Sequence, residues 1–180
     1  MAQRIVMERP ETPQIDYYNV LYRTLFPTLD EMRQFSLVDL GCGYPHYTQY
    51  MPFREKSFVD TQPREGLVVS VINQDVVSWL RENEVDILFA SDLIEHLFKK
   101  DGEELLDLTE KHIRNRAIFF TPLGPLWVNE VIGTSPDEHR SGWFPEDFEK
   151  RGYDTWVLPG FHRFADGEHG AFFARKLFHS

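Results

Sequence analysis

The chain has 180 residues and a formal net charge of −10, and 42% of its residues are hydrophobic, 14% aromatic and 27% charged. That length carries one domain with a sizeable core. The charge argues against DNA or RNA as the main partner, because such affinity rests on lysine and arginine. Cys42 is the only cysteine, which excludes an intrachain disulfide and a cysteine-based zinc site.

The opening MAQRIVMERPETPQ lacks the apolar centre of a signal peptide, and no apolar run is long enough to span a bilayer, so a cytoplasmic location is expected. Residues 1–13 are polar, contain two prolines and are expected to form a flexible tail ahead of a single domain over 14–180. There is no internal repeat. From Ile15, apolar residues recur at Tyr18, Leu21, Tyr22 and Leu25, a helical period that Pro27 kinks or ends. A second short turn is expected through Leu29 and Met32.

Strand and helix then alternate. FSLVDL (35–40), KSFVD (56–60), LVVSVI (67–72) and VDILFA (85–90) read as four strands. Helical VVSWLRE follows the third, and SDLIEHLFKK, also read as helical, follows the fourth. GEELLDLTEKHI (102–113) is an amphipathic helix with Leu105, Leu106, Leu108, Thr109, His112 and Ile113 on one face. RAIFFT (116–121) is a fifth strand. A long segment of weak periodicity, 122–143, comes next. FPEDFEKRG (144–152) is a helix with proline at its first position, acids in its first turn and glycine at its exit. YDTWVL (153–158) and GAFFARKLF (170–178) are strands six and seven, close enough in sequence for an antiparallel hairpin. The expected fold is α/β: a Rossmann-like, doubly wound, seven-stranded sheet, mostly parallel with the last strand antiparallel. Ligands bind such sheets beyond the carboxyl ends of the strands, at the switch point.

The chemistry-bearing residues fall at those ends. In VDLGCGYPHY (38–47), Gly41 and Gly43 allow a tight turn and close approach to a ligand. A dinucleotide fingerprint needs a third glycine where His46 stands, so that fingerprint fails. Asp60 ends the second strand, 21 residues after Asp39, where an acid can accept from ribose hydroxyls. Asp75 can accept from an adenine amino group or cap the helix behind it. Asp92, Glu95 and His96 share one face at i, i+3, i+4 spacing, which suits a solvated helix face or the floor of an active site.

VDLGCG, FVD, INQD, FASDLIEHL, FFTPLG and EHRSGWFPEDFEKRGY, in that order, resemble the class I S-adenosylmethionine-dependent methyltransferases of small-molecule type. The resemblance covers about residues 35–178. It implies that Asp39, Gly41 and Gly43 hold the methionine end of the cofactor. Asp60 would bind the ribose, Asp75 and Val76 the adenine, and Ser91 and Asp92 would stand between cofactor and acceptor. S-adenosylhomocysteine would be the product. One departure is Pro45, where the family usually has glycine; it stiffens the turn and removes an N–H. An acidic rim of Asp39, Asp60, Asp75 and Asp92 suits a sulfonium and an ammonium and repels a pyrophosphate.

His139 is the first candidate for a catalytic base, oriented by Asp137 and Glu138, and His96 is the second; a surface loop histidine without a role is the competing reading of His139. Trp127, His139 and Trp143 are candidates to line the substrate pocket, although the tryptophans can equally anchor the loop. No set of histidines and carboxylates stands at a convincing metal-ligand spacing along the chain, so no metal is expected. The expected activity is methyl transfer, to oxygen as the first guess, with a small-molecule, glycan-like or carrier-bound acceptor. A non-catalytic, cofactor-binding partner domain is the alternative, and a nicotinamide oxidoreductase is a weaker third. The sequence does not specify the oligomeric state.

Overall fold

The computed structural model describes residues 2–8, 12–45, 48–62, 69–128, 137–165 and 167–178. Its frame is one eight-stranded sheet in the order β1-β7-β8-β6-β5-β2-β3-β4. The strands are β1 (Arg4–Val6), β2 (Ser36–Leu40), β3 (Glu55–Asp60), β4 (Ile72–Asn73), β5 (Val85–Ser91), β6 (Ile113–Pro122), β7 (Asp154–Phe164) and β8 (Gly167–Leu177). All neighbours pair in parallel except β8, which lies antiparallel between β6 and β7. The chain steps outward from β2 to β3 and β4, then returns to place β5 on the other side of β2. The switch point therefore falls between β2 and β5.

Alternation along these strands sorts side chains to two faces. Leu37, Phe89, Phe120 and Phe173 face one apolar layer, which α1 (Pro13–Val20), the π-helical turn Leu21–Leu25 and α2 (Leu29–Met32) cover with Tyr17, Leu21, Leu25 and Met32. Val38, Leu88, Phe119 and Phe172 face the other layer. It is covered by α3 (Val76–Glu82), α4 (Lys99–His112) and α5 (Pro145–Glu149) through Leu80, Leu105 and Phe148. The first helical run ends at Leu25, and Phe26 is extended at ψ 156°, the conformation Pro27 demands of its predecessor. Thr28 caps α2: its hydroxyl accepts from the Glu31 amide, and Glu31 reaches back to the Thr28 amide at 2.8 Å.

Three differences from the sequence expectation bear on the site. The expected tail is not loose throughout: Arg4–Val6 pairs in parallel with β7, and Arg4 bridges Glu146 and Glu149 of α5, each at 2.6 Å. This is the eighth strand. The expected third strand, 67–72, survives as the two-residue edge β4; residues 67 and 68 lie outside the described residues. SDLIEHLFKK does not form one helix. Asp92 takes a left-handed φ of 50°, a 3₁₀ turn covers Ile94–His96, and α4 starts afresh at Lys99.

Candidate functional site

Two adjoining cavities open at the carboxyl ends of β2, β3 and β5. The larger, about 780 Å³, is lined by Gly41, Gly43, Asp60, Thr61, Gln62, Asp75, Val76, Asp92, Leu93, His96, Leu97, Asp137 and Arg140. The smaller, about 200 Å³, is lined by Tyr17, Asp39, Cys42, Tyr44, Pro45, Thr48, Phe89 and Ser91, and shares Gly41 and Asp92 with the first. The combined space is within the range of small-molecule sites.

The glycine turn is built by both of its glycines. Gly41 and Gly43 have φ of +63° and +46°. A Cβ on Gly41 would lie 2.5 Å from Leu93 Cδ1, whereas one on Gly43 would meet no atom of the described residues within 4 Å. Gly41 thus serves close packing of β2 against the turn after β5, while Gly43 leaves space open. The Gly41 amide donates to the Val59 carbonyl at 2.8 Å, which ties the turn to β3. Asp60 completes the tie: one carboxylate oxygen accepts from the Gly43 amide at 2.8 Å and the other from the Gln62 amide at 2.7 Å. Pro45 is buried in the wall of the smaller cavity, and His46 lies outside the described residues.

Asp39 is buried at 5% exposure and accepts from the Thr48 hydroxyl. Burial outweighs that hydrogen bond and, helped by nearby Asp60, pushes its carboxyl up to about 7. Burial also pushes the Cys42 thiol up to about 12, with Asp39 and Asp60 adding to the effect. Asp75 is the N-cap of α3, accepting from the Ser78 amide at 2.8 Å, and it also lines the larger cavity beside Val76. The capping and ligand-facing readings are therefore compatible.

At the end of β5, the Ser91 hydroxyl donates to Asp92 at 3.0 Å and lies 3.2 Å from the Tyr17 hydroxyl. Asp92 is exposed and lines both cavities. Enclosure by the surrounding protein pushes its carboxyl up to about 6, against the Ser91 hydrogen bond and His139. Glu95, for which the spacing leaves open a solvated helix face or the floor of an active site, is 2% exposed, which excludes the solvated face. One of its oxygens accepts from Thr121 Oγ1 at 2.9 Å; burial, and then Asp92, push its carboxyl up to about 8. His96 lines the larger cavity, and burial lowers its pKa. His139 lines neither cavity but sits against His96, with ring centroids 4.8 Å apart and edge to face.

Of the two readings open for Trp127 and Trp143, the structure favours loop anchoring over pocket lining. Trp143 is 1% exposed and borders neither cavity: its Nε1 donates to the Ile94 carbonyl and Ser141 Oγ, and its ring packs against Gly102 under the Lys99 ammonium. It anchors the segment and is not a pocket wall. Trp127 is about half exposed, packs on Phe164 at 4.3 Å and on His139 at 6.0 Å, and likewise borders neither cavity. Sequence reasoning missed Tyr17 and Thr48, which meet Ser91 and Asp39 through folding alone, and Arg140, a cation on the cavity wall. Glu95 carried one signal, an acid set in the apolar run DLIEHL.

The fold matches solved structures along nearly its whole length. The N-methyltransferase NodS from Bradyrhizobium japonicum, in complex with S-adenosyl-L-homocysteine, superposes with a TM-score of 0.64 over 96% of this chain and 90% of its own at 12% identity. An S-adenosylmethionine-dependent methyltransferase from Archaeoglobus fulgidus gives 0.58 over 90% and 99% at 16% identity. This is the class I S-adenosylmethionine-dependent methyltransferase fold. The small RNA methyltransferase HEN1 gives 0.56 over 97% of this chain and 27% of its own at 18% identity, so the shared fold serves more than one kind of acceptor. No protein-family model matches the sequence, and a search of curated proteins finds no match. Among the described residues, no helix of this methyltransferase-fold chain is long and apolar enough to cross a membrane.

Proposed function

We propose that the chain binds S-adenosylmethionine across the ends of β2, β3 and β5 and transfers its methyl group to a small-molecule acceptor beside Asp92. The observation that carries this reading is the joined cavity at the switch point, bordered by Asp39, Asp60, Asp75 and Asp92. The donor set fits the cofactor: four carboxylates face a space that a cationic ligand can fill, and Gly43 leaves that space free of any Cβ. When bound, the cofactor would supply an electrophilic methyl on a sulfonium, to which an acceptor oxygen would bond as the C–S electrons pass to sulfur and the hydroxyl proton passes to the Asp92 carboxylate or to water.

The protein's own contribution is alignment and charge. Asp39 meets the ammonium end and Asp60 the ribose, held in place by two backbone amides. Asp75 and Val76 border the base. Ser91 and Asp92 stand where methyl and acceptor meet. Pro45 walls the smaller cavity without filling it, since about 200 Å³ stays open beside it. That favours an enzyme over a non-catalytic partner. The lowered pKa of His96 keeps its imidazole neutral near pH 7, so it presents a lone pair to the cavity. Among the described residues lining either cavity, Arg140 is the one cation, against several carboxylates, which favours a neutral or cationic small acceptor over nucleic acid.

Calorimetry with S-adenosylmethionine, S-adenosylhomocysteine and NADH tests the reading: the adenosyl ligands bind and NADH does not. NADH binding alone would overturn it. Asp60→Asn keeps one acceptor for the turn but loses the paired charge, and S-adenosylhomocysteine affinity should fall at least about tenfold, a loss of ~1.4 kcal/mol. Unchanged affinity refutes the ribose assignment. Labelled methyl transfer to pooled hydroxyl-bearing small molecules separates the enzyme from a binding module.

A further inference from the structure

Glu95, His96 and His139 come together although the last two are 43 positions apart in the chain. Each offers one ligand atom, and these atoms lie within 4.8 Å of one another. The fold fastens the arrangement: the Glu95 carbonyl accepts from the amides of Arg140 and Ser141 at 2.7 and 3.0 Å, clamping the 3₁₀ turn to the segment that carries His139.

Each histidine is oriented through its Nδ1. That of His96 lies 3.1 Å from the Glu138 carbonyl, and that of His139 lies 2.6 Å from the Leu126 carbonyl. A carbonyl only accepts, so each Nδ1 carries the proton and each Nε2 keeps a lone pair. Backbone carbonyls hold the far nitrogen of metal-bound histidines in the same way. Glu95 adds an independent sign. Its Oε1 is buried and has no hydrogen-bond partner among the described residues, while Oε2 is satisfied by Thr121. A buried carboxylate oxygen left unpaired is costly unless something cationic meets it.

We propose that Glu95, His96 and His139 bind a divalent first-row transition-metal ion, with Asp92 beside them at the cavity wall. Two imidazoles and a carboxylate suit Zn²⁺, Co²⁺, Mn²⁺ or Fe²⁺, and three protein ligands leave positions open. Binding of the ion does not depend on the methyl-transfer reading. Its role does: an ion here would polarise an acceptor hydroxyl next to Asp92 and favour loss of its proton, assigning the two histidines as ligands in place of a catalytic base.

The test uses the full chain after chelator dialysis, with Co²⁺ absorption and Zn²⁺ calorimetry as readouts and S-adenosylhomocysteine titrated separately. One equivalent of metal should bind, raise the melting temperature and give a visible Co²⁺ spectrum. His139→Asn and Glu95→Gln should each weaken Zn²⁺ at least tenfold while leaving S-adenosylhomocysteine affinity within twofold. Circular dichroism checks that each variant folds, and the more exposed His139→Asn stands alone if Glu95→Gln does not. His162→Asn/His169→Asn, a cross-strand pair on the β7–β8 hairpin, should leave the metal affinity unchanged. Absence of metal binding in a protein that binds S-adenosylhomocysteine overturns this inference alone. So does binding that the hairpin variant abolishes and His139→Asn does not. Metal binding without adenosyl binding overturns only the methyl-transfer reading.

Discussion

Gly41 and Gly43 differ in what surrounds them, and that difference predicts two distinct phenotypes for the same substitution. Both have left-handed φ, so alanine at either costs about 1–2 kcal/mol from the backbone alone. At Gly41 the new Cβ would also lie 2.5 Å from Leu93 Cδ1. Carbon atoms are comfortable at about 3.5–4.0 Å, so Leu93 must retreat by roughly 1 Å. Overpacking of that kind costs a further ~1–3 kcal/mol. Gly41→Ala should therefore destabilise by about 2–5 kcal/mol, which for a chain of this length lowers the melting temperature by about 4–20 °C. Gly43→Ala meets no atom of the described residues and should lose only the backbone cost, about 2–8 °C. Gly43 borders the larger cavity, however, and a ligand filling that cavity would meet the new methyl. Urea unfolding and calorimetry on both variants separate the effects. Gly41→Ala is the less stable; Gly43→Ala is the more stable and binds S-adenosylhomocysteine at least tenfold more weakly than wild type. A folded Gly43→Ala that binds as wild type refutes the placement of the cofactor against this turn. Equal stability of the two refutes the packing argument.

The raised carboxyl of Asp39 predicts a pH effect of definite sign. The folded state holds a proton up to about pH 7 that the unfolded chain releases near pH 4, so this group's contribution is fully present below pH 4 and lost as pH rises through 7. Three pH units correspond to at most about 4 kcal/mol. Asp39→Asn cannot ionise, so relative to wild type it should gain stability from pH 5 to pH 8 in paired urea titrations; a difference flat with pH refutes the burial argument. Ligand binding reverses the preference, because an ammonium favours the carboxylate, so S-adenosylmethionine should release protons at pH 6 in calorimetry run in buffers of different ionisation enthalpy. Trp143→Phe removes the indole donor to Ile94 and Ser141 and puts a smaller, less strongly cation-binding ring under Lys99, and should cost about 2–4 kcal/mol with cofactor affinity unchanged. A drop in affinity without a drop in stability would return Trp143 to the pocket.

What was legible in the sequence was what local pattern encodes. The strands β2, β3, β5, β6, β7 and β8 announce themselves as apolar runs because both sheet faces are covered, and the glycine turn with Asp60 and Asp75 falls at their ends. What was not legible depends on partners far along the chain. β1 offers only Ile5 and Val6 as an apolar signal, too short to read as a strand, and all three of its residues are exposed; it is a strand because β7 offers an edge and Arg4 finds two glutamates of α5. By sequence Trp143 can line a pocket or anchor its loop, and only the meeting of its segment with the 3₁₀ turn and Gly102 decides for burial.

The misreading of SDLIEHL has a single torsional cause. On a helix running from β5, Asp92, Glu95 and His96 would share one face, opposite Leu93, Ile94, Leu97 and Phe98, and the polar face would point to solvent. The left-handed φ of Asp92 breaks that helix before its first turn, a conformation that aspartate tolerates better than most residues. The chain then re-aims, so Glu95 turns inward beneath Thr121 while Phe98 turns outward to 48% exposure. The polar spacing that reads as an ordinary solvated face becomes a buried acid and a cavity-lining histidine. Asp92, the residue whose backbone makes the change, borders both cavities, so the turn that defeats the helical pattern also builds the site.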